Sequence, residues 1–115
     1  FYTRASSADV SHRADSVQEV VNIWQMRRSM GGMLVANPIP ATDEIPAIEV
    51  QAWISAALAC AADAGVAGRE VTPFLLADLA KRSAGRAVAA NRALALNNAV
   101  IAAQIAAQIN TGAKS

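Results

Sequence analysis

Asn91 and Asn98 are the two side chains in this sequence best spaced to act together. Seven residues make about two helical turns, so on a helix both amides fall on one face. Each amide is donor and acceptor at once, and stacked amides in an otherwise apolar helix can hold a small polar ligand. The plainer use of such amides is hydrogen bonding between helices or exposure to solvent, and spacing alone favours it. Asn97 lies beside that face, while Gln104 and Gln108 point elsewhere.

The other candidates have plainer readings too. Asn37, just before Pro38, could meet a ligand, but capping its own turn is the commoner role. Arg4 and Arg13 could bind phosphate, yet Asp9 and Asp15 are near enough to neutralise them. Arg27 and Arg28 suit the end of a helix, where positive charge complements the dipole. His12 sits in a polar stretch and reads as solvated or locally hydrogen-bonded. Cys60 lies among alanines and reads as a small core residue. Trp24 and Trp53 lie on or beside apolar faces and read as core.

Some chemistry is excluded. One His and one Cys give no His-pair zinc site, no Cys-based metal site and no disulfide framework. No Gly-rich phosphate loop opens a helix. The carboxylates are scattered over helix starts and turns, so no close acidic pair is implied.

Ten Lys and Arg against nine Asp and Glu leave a net charge of +1, too weak a field to steer nucleic acid or anionic lipid. The 115 residues allow one domain at most. Hydrophobic residues make up 54%, but 28 positions are Ala, so the core is thin. Its bulky anchors are Phe1, Tyr2, Trp24, Trp53 and Phe74. A positive mean hydropathy argues against disorder, and no uncharged apolar run is long enough to span a bilayer. The chain opens on Phe1 without a signal-like segment, which predicts a piece of a longer cytoplasmic protein.

The candidate residues need elements to hold them. Ser16 and Glu19 have capping-box spacing, and Val17, Val20, Val21 and Trp24 then make an apolar helical face that ends at Gly31-Gly32. Met33-Leu34-Val35-Ala36, caught between a Gly pair and Asn37-Pro38-Ile39-Pro40, predicts a short strand buried on both faces. Pro46 opens a second helix to about Ala64, with a stripe of Val50, Ile54, Ala57, Leu58 and Ala61. Thr72-Pro73 supplies an N-cap and an N1 proline for a third, carrying Phe74, Leu75, Leu76 and Leu79 as far as Gly85. The last helix spans about Ala87 to Ile109, with a loose tail at 111–115. One strand cannot make a sheet, so its partners must lie outside these residues.

The order "RADS", "GGMLVANPIP", "VTPFLLADLA" and "AANRALALNNAVIAAQIA" closely resembles the C-terminal part of the pseudouridine-5′-phosphate glycosidases, which include relatives named for indigoidine biosynthesis. The resemblance runs from "FYTR" to about Ile109. It implies an α/β protein, here the C-terminal fragment of an α/β/α layered fold, mostly helical with the one short buried strand near 33–36. It further implies reversible cleavage of the C–C glycosidic bond of pseudouridine 5′-phosphate to uracil and ribose 5-phosphate. The family uses a Schiff-base Lys, a Glu proton donor and a Mn²⁺ site with an Asp, and its members assemble as homotrimers. An iminium is a sensible electron sink where no heteroatom leaves.

Those catalytic groups match earlier segments of the family. Lys81 and Lys114 are not in the Schiff-base context, and Glu19, Glu44, Glu49 and Glu70 do not match the acid. Ser7-Ala8-Asp9 looks like a substrate-binding Ser-Ala-Asp stretch, but its surroundings match a later segment and no role is carried to it. Asn91 does match the Asn near the start of the family's last helix, which implies hydrogen bonding to substrate or its ring-opened adduct. Two departures stand out. Arg92 replaces a usual aliphatic residue, and "SAGRAV" replaces a Thr-Gly-Gly-x-Ser-Leu type of approach. The expected protein is a cytoplasmic enzyme with neither nucleic-acid nor membrane partners, sometimes fused to a sugar-kinase-like domain in relatives. The fragment by itself is expected to be inactive. The rival readings are a non-catalytic homologue acting as scaffold or binding module and, beyond it, a free-standing helical interaction module.

Overall fold

Ser16 starts the first helix as its spacing predicts: its side chain accepts from the Glu19 backbone N–H at 3.2 Å. The Glu19 carboxylate reaches back to the Asp15 N–H at 2.7 Å, one residue earlier than a regular capping box. That helix, α1, is Val17–Arg27, followed by a 3-10 turn at Arg28–Met30 and then Gly31 with φ 114°. The computed structural model describes Tyr2, Arg4 and residues 9–113. Three further α-helices follow, α2 (Ala47–Asp63), α3 (Val71–Arg82) and α4 (Arg86–Ala113), with 3-10 turns at Ala41–Asp43 and Gly68–Glu70.

The described residues fall into two compact units. One holds Tyr2, Arg4 and residues 38–94, the other residues 9–37 and 95–113, so the division passes through α4. In the first unit the core is Tyr2, Ile39, Ile45, Val50, Leu79, Ala87 and Ala90, with Trp53, Ile54 and Leu94 packed against it. The N-terminal stretch is stitched to the segment before α2. Ile45 N–H donates to the Tyr2 carbonyl at 3.0 Å, and Arg4 Nη1 to the Ile39 carbonyl at 2.7 Å. Helices α2 and α3 pack together. Ala57 and Ala61 are buried on α2, and small side chains there let backbones approach closely. In the second unit Val21 of α1 is the fully buried anchor.

Several expectations need correcting. Met33–Ala36 forms no strand. No backbone hydrogen bond joins it to another described residue, and Leu34 is 95% exposed. The apolar run predicted burial, but a strand exists only within a ladder, and the described residues contain no second strand. Pro46 is the N-cap of α2 rather than its first helical residue. Thr72 and Pro73 lie inside the first turn of α3, after Val71, where a missing N–H costs nothing because those amides are orphans. Leu58 and Leu76 are exposed, so the stripes are narrower than predicted, and Trp24, Trp53 and Phe74 are only half-buried. The last helix continues past Thr111, whose hydroxyl donates to the Ala107 carbonyl at 2.9 Å. Phe1, Lys114 and Ser115 lie outside the described residues.

Helices α2 and α3 end in the same motif with different residues. After α2, Gly65 N–H donates to the Ala62 carbonyl and Val66 N–H to that of Ala61, with Gly65 left-handed at φ 69°. After α3, Ala84 N–H donates to Lys81 and Gly85 N–H to Ala80, with Ala84 left-handed at φ 52°. Both are Schellman endings, in which that position favours glycine. Ala84 therefore carries a Cβ where it costs roughly 1–2 kcal/mol. Ala84→Gly relieves that, less about 0.4–1 kcal/mol of added freedom in the unfolded chain. The expected outcome is a net stabilisation of roughly 0.5–1 kcal/mol, read as a higher urea midpoint; an unchanged or lower midpoint refutes it.

Tyr2 is the sole tyrosine and is buried, which pushes its phenol above the ordinary value of 10.0. The folded state thus resists forming the phenolate. Its contribution to stability is whole below pH 10.0 and is lost as pH rises through the raised folded value. Tyrosinate absorbance should titrate later in the native chain than in urea, and coincident curves would contradict this placement.

Candidate functional site

Asn91 stands on α4 at the edge of its packed stripe. Ala87, Ala90 and Leu94 face the core of the first unit, and Asn91 stacks one turn above Ala87, where it emerges exposed. Its amide has no side-chain hydrogen bond to any described residue, so both donor and acceptor face solvent.

What fixes Asn91 is the way α4 begins. Ser83 is buried, and its hydroxyl accepts from Ala87 N–H at 3.0 Å while donating to the Ala80 carbonyl at 3.4 Å. One serine thus serves the end of α3 and the start of α4. Arg86, in the first turn, is a cation where the helix dipole disfavours one. It is held by Glu49 of α2, Nη1 to Oε2 at 2.6 Å, and lies 5.5 Å from the Trp53 ring centroid, within cation–π range. Sequence reading missed this clamp, because nothing in the spacing of Glu49, Trp53 and Arg86 signals a contact. A second ion pair, Asp78 with Arg82, has the i, i+4 spacing that could have revealed it. The hydrogen bond to Asp78 pushes the Arg82 guanidinium further up, and Arg82 Nη2 also reaches the Cys60 sulfur at 3.1 Å. Cys60 is half-buried rather than fully enclosed.

In the second unit the structure brings together Asn37 and Asn98. Asn37 Nδ2 donates to Asn98 Oδ1 at 2.9 Å, so Asn37 does not spend its side chain capping its own turn. Beside them Met33, Val35, Ile101 and Ile105 line an open, mostly apolar groove of about 450 Å³. Asn97 is half-buried, and Gln104 and Gln108 are exposed.

The remaining candidates take plain roles. Arg13 pairs with Asp15 at 2.8 Å on the surface, and Arg4 is committed to the Ile39 carbonyl. His12 is exposed with its Nδ1 3.4 Å from the Ser11 hydroxyl. Arg27, Arg28, Lys81 and Arg92 are exposed. Ser7 and Ala8 lie outside the described residues. Among the described residues no three His, Cys, Asp or Glu side chains converge to hold a metal ion. The arrangement can hydrogen-bond and orient a polar ligand at Asn91, and no described residue forms a nucleophile and base pair beside it.

Comparison with known proteins gives this geometry a context. The family model described as indigoidine synthase A like protein matches residues 1–108. A protein of Kosmotoga olearia named pseudouridine-5′-phosphate glycosidase is 41% identical over 117 residues, covering 99% of this chain and 40% of its own length. One of the same name from Methylobacterium nodulans is 42% identical, covering 100% of this chain and 35% of its own length. The crystal structure of prealnumycin C-glycosynthase AlnA in complex with ribulose 5-phosphate superposes with a TM-score of 0.85 at 28% identity, covering 100% of this chain and 39% of that one. The chain therefore spans well under half the length of the relatives it matches. It belongs to the indigoidine synthase A like family.

Proposed function

We propose that the chain is the C-terminal part of a pseudouridine-5′-phosphate glycosidase domain. In this reading the whole enzyme reversibly cleaves the C–C glycosidic bond of pseudouridine 5′-phosphate to uracil and ribose 5-phosphate. The observation that carries it is 41% identity across 99% of the chain to a protein of that name. The solved neighbour, a C-glycosynthase held with a sugar phosphate, supports chemistry at a C-glycosidic bond. The finer expectations belong to the same proposal: an α/β/α layered whole domain, a cytoplasmic homotrimer, and substrate contact by Asn91.

Within this chain the chemistry assigned to Asn91 is binding and orientation. Its amide can donate to a ring oxygen or uracil carbonyl and accept from a hydroxyl, and it sits on a helix rather than a loop. A contact held this way needs little reorganisation when charge develops on the substrate. The Schiff-base Lys and the acid are assigned to the part of the domain that this chain does not span. Mn²⁺, expected from the family, finds no fitting group of ligands among the described residues.

The chain alone should release no uracil from pseudouridine 5′-phosphate; release by the purified chain would place the missing groups within it. In a whole enzyme containing the chain, Asn91→Ala should lower kcat about a hundredfold or more, the loss of about 2.7–4 kcal/mol typical of one well-placed catalytic hydrogen bond. Asn98→Ala should cost far less, because Asn98 is already committed to Asn37. Melting temperature should move little in either variant, and a change confined to KM would mean ground-state binding only. Wild-type turnover by Asn91→Ala beside a slow Asn98→Ala would move the site to the second amide.

A further inference from the structure

Among the described residues Ser83 is the one buried polar side chain, 2% exposed, and it does more than cap a helix. Its N–H donates to the Leu79 carbonyl at 2.9 Å and its hydroxyl to the Ala80 carbonyl at 3.4 Å, so two bonds tie it to the end of α3. Two more hold the start of α4. The Ser83 carbonyl accepts from Arg86 N–H at 3.1 Å, and its hydroxyl oxygen from Ala87 N–H at 3.0 Å. The first amides of a helix have no partner within it, and this single residue serves two of them. Ser83 belongs equally to both helices.

The link between these helices has no slack. Arg82 ends α3 and Arg86 begins α4, and between them Ala84 and Gly85 are both left-handed, at φ 52° and 85°. The other tie on the start of α4 is softer. The Arg86 and Glu49 side chains are 52% and 40% exposed, so water competes for them and their long stems can swing. The Ser83 hydroxyl sits on a single methylene, out of water. It therefore sets, with little play, how far α4 stands along its axis from the end of α3.

Asn91 follows on the same rigid element. Ala87 and Asn91 lie in one uninterrupted helix, one turn and about 6 Å apart along its axis. A shift of α4 at Ala87 is therefore carried whole to the Asn91 amide. Misplacing a group by about 1 Å in a reacting geometry can cost on the order of a hundredfold in rate. We infer that Ser83 is a positioning residue for the reaction, its hydroxyl fixing the axial register at which Asn91 meets the substrate. Ser83 itself touches no substrate and acts only through Asn91. The inference rests on the proposed substrate contact by Asn91 and adds to it the group that holds that contact in place. Threonine keeps the hydroxyl as donor and acceptor, and alanine keeps neither.

Steady-state kinetics test it in a whole enzyme containing the chain, comparing Ser83→Ala, Ser83→Thr, Asn91→Ala and the double variant Ser83→Ala/Asn91→Ala. Ser83→Ala should lower kcat about tenfold or more while KM stays within about twofold, and Ser83→Thr should restore turnover. In the double variant kcat should be no lower than in Asn91→Ala alone, because an amide already removed cannot be misplaced. A serine that only supports the fold gives another pattern. Its loss lowers the melting temperature, leaves kcat of the folded enzyme as in wild type, and in the double variant multiplies with the loss from Asn91→Ala. If Ser83→Ala does not fold, Ser83→Cys carries the same test, being close in size but a weak donor and acceptor. Wild-type kcat in Ser83→Ala, multiplied losses in the double variant, or a Ser83→Thr enzyme as slow as Ser83→Ala would each overturn the inference. Asn91→Ala separates the two layers. If it turns over like wild type, the reading of Asn91 falls and the inference with it; if it is slow while Ser83→Ala is not, the inference alone falls.

Discussion

Ser83 carries the connection on which the candidate site depends. It is the C-cap of α3, and its buried hydroxyl caps the Ala87 amide in the first turn of α4. A buried hydroxyl left without partners would cost about 1–3 kcal/mol, so the geometry of the turn is tightly specified. The left-handed Ala84 and Gly85 that follow reverse the chain at once. Asn91 lies about one turn past Ala87, whose amide Ser83 caps. The strain at Ala84 is borne at this same turn.

The alanine content explains why such polar fixtures matter. Ala57, Ala61, Ala87 and Ala90 allow close approach of helices but contribute little buried area each. Packing of this kind sets distances between helices without strongly setting their rotation. In the first unit directional contacts between helices add orientation: Arg86 of α4 on Glu49 and Trp53 of α2, and Arg82 of α3 on the Cys60 sulfur of α2. The Arg86–Glu49 pair lies partly in water, where such pairs add little to stability. Their value is orientation more than stability.

Local signals were legible in the sequence, and non-local ones were not. The Ser16 cap, the glycine after α2 and the four helices follow from capping chemistry and periodicity within a few residues. Asn91 came from a resemblance, since spacing alone favoured a plainer role for it. The strand failed for a physical reason: Met33–Ala36 has the composition of a buried strand, but pairing is a property of two segments, and one was read alone. The helix starts at Pro46 and Thr72-Pro73 slipped by one and two residues because proline is tolerated at several first-turn positions. Asn37 with Asn98, 61 residues apart, and Glu49 with Arg86, 37 apart, leave no trace in spacing.

Helix α4 shows how one element can meet two different demands. Its charges, Arg86 and Arg92, lie in the first two turns, and none follows Arg92. The charged beginning can be oriented by ion pairing in water, as Arg86 is. The uncharged remainder has no such handle and can be held only by dry packing against other apolar surface. Ile101 and Ile105 are half-buried beside the open groove that Met33 and Val35 also line, whereas Leu96 and Val100 are exposed. Selection on a free-standing helix would place Lys or Glu at these exposed positions, because solubility is easily gained there and nothing is lost. The charged start, carrying Asn91, is the portion of the helix whose surface is polar.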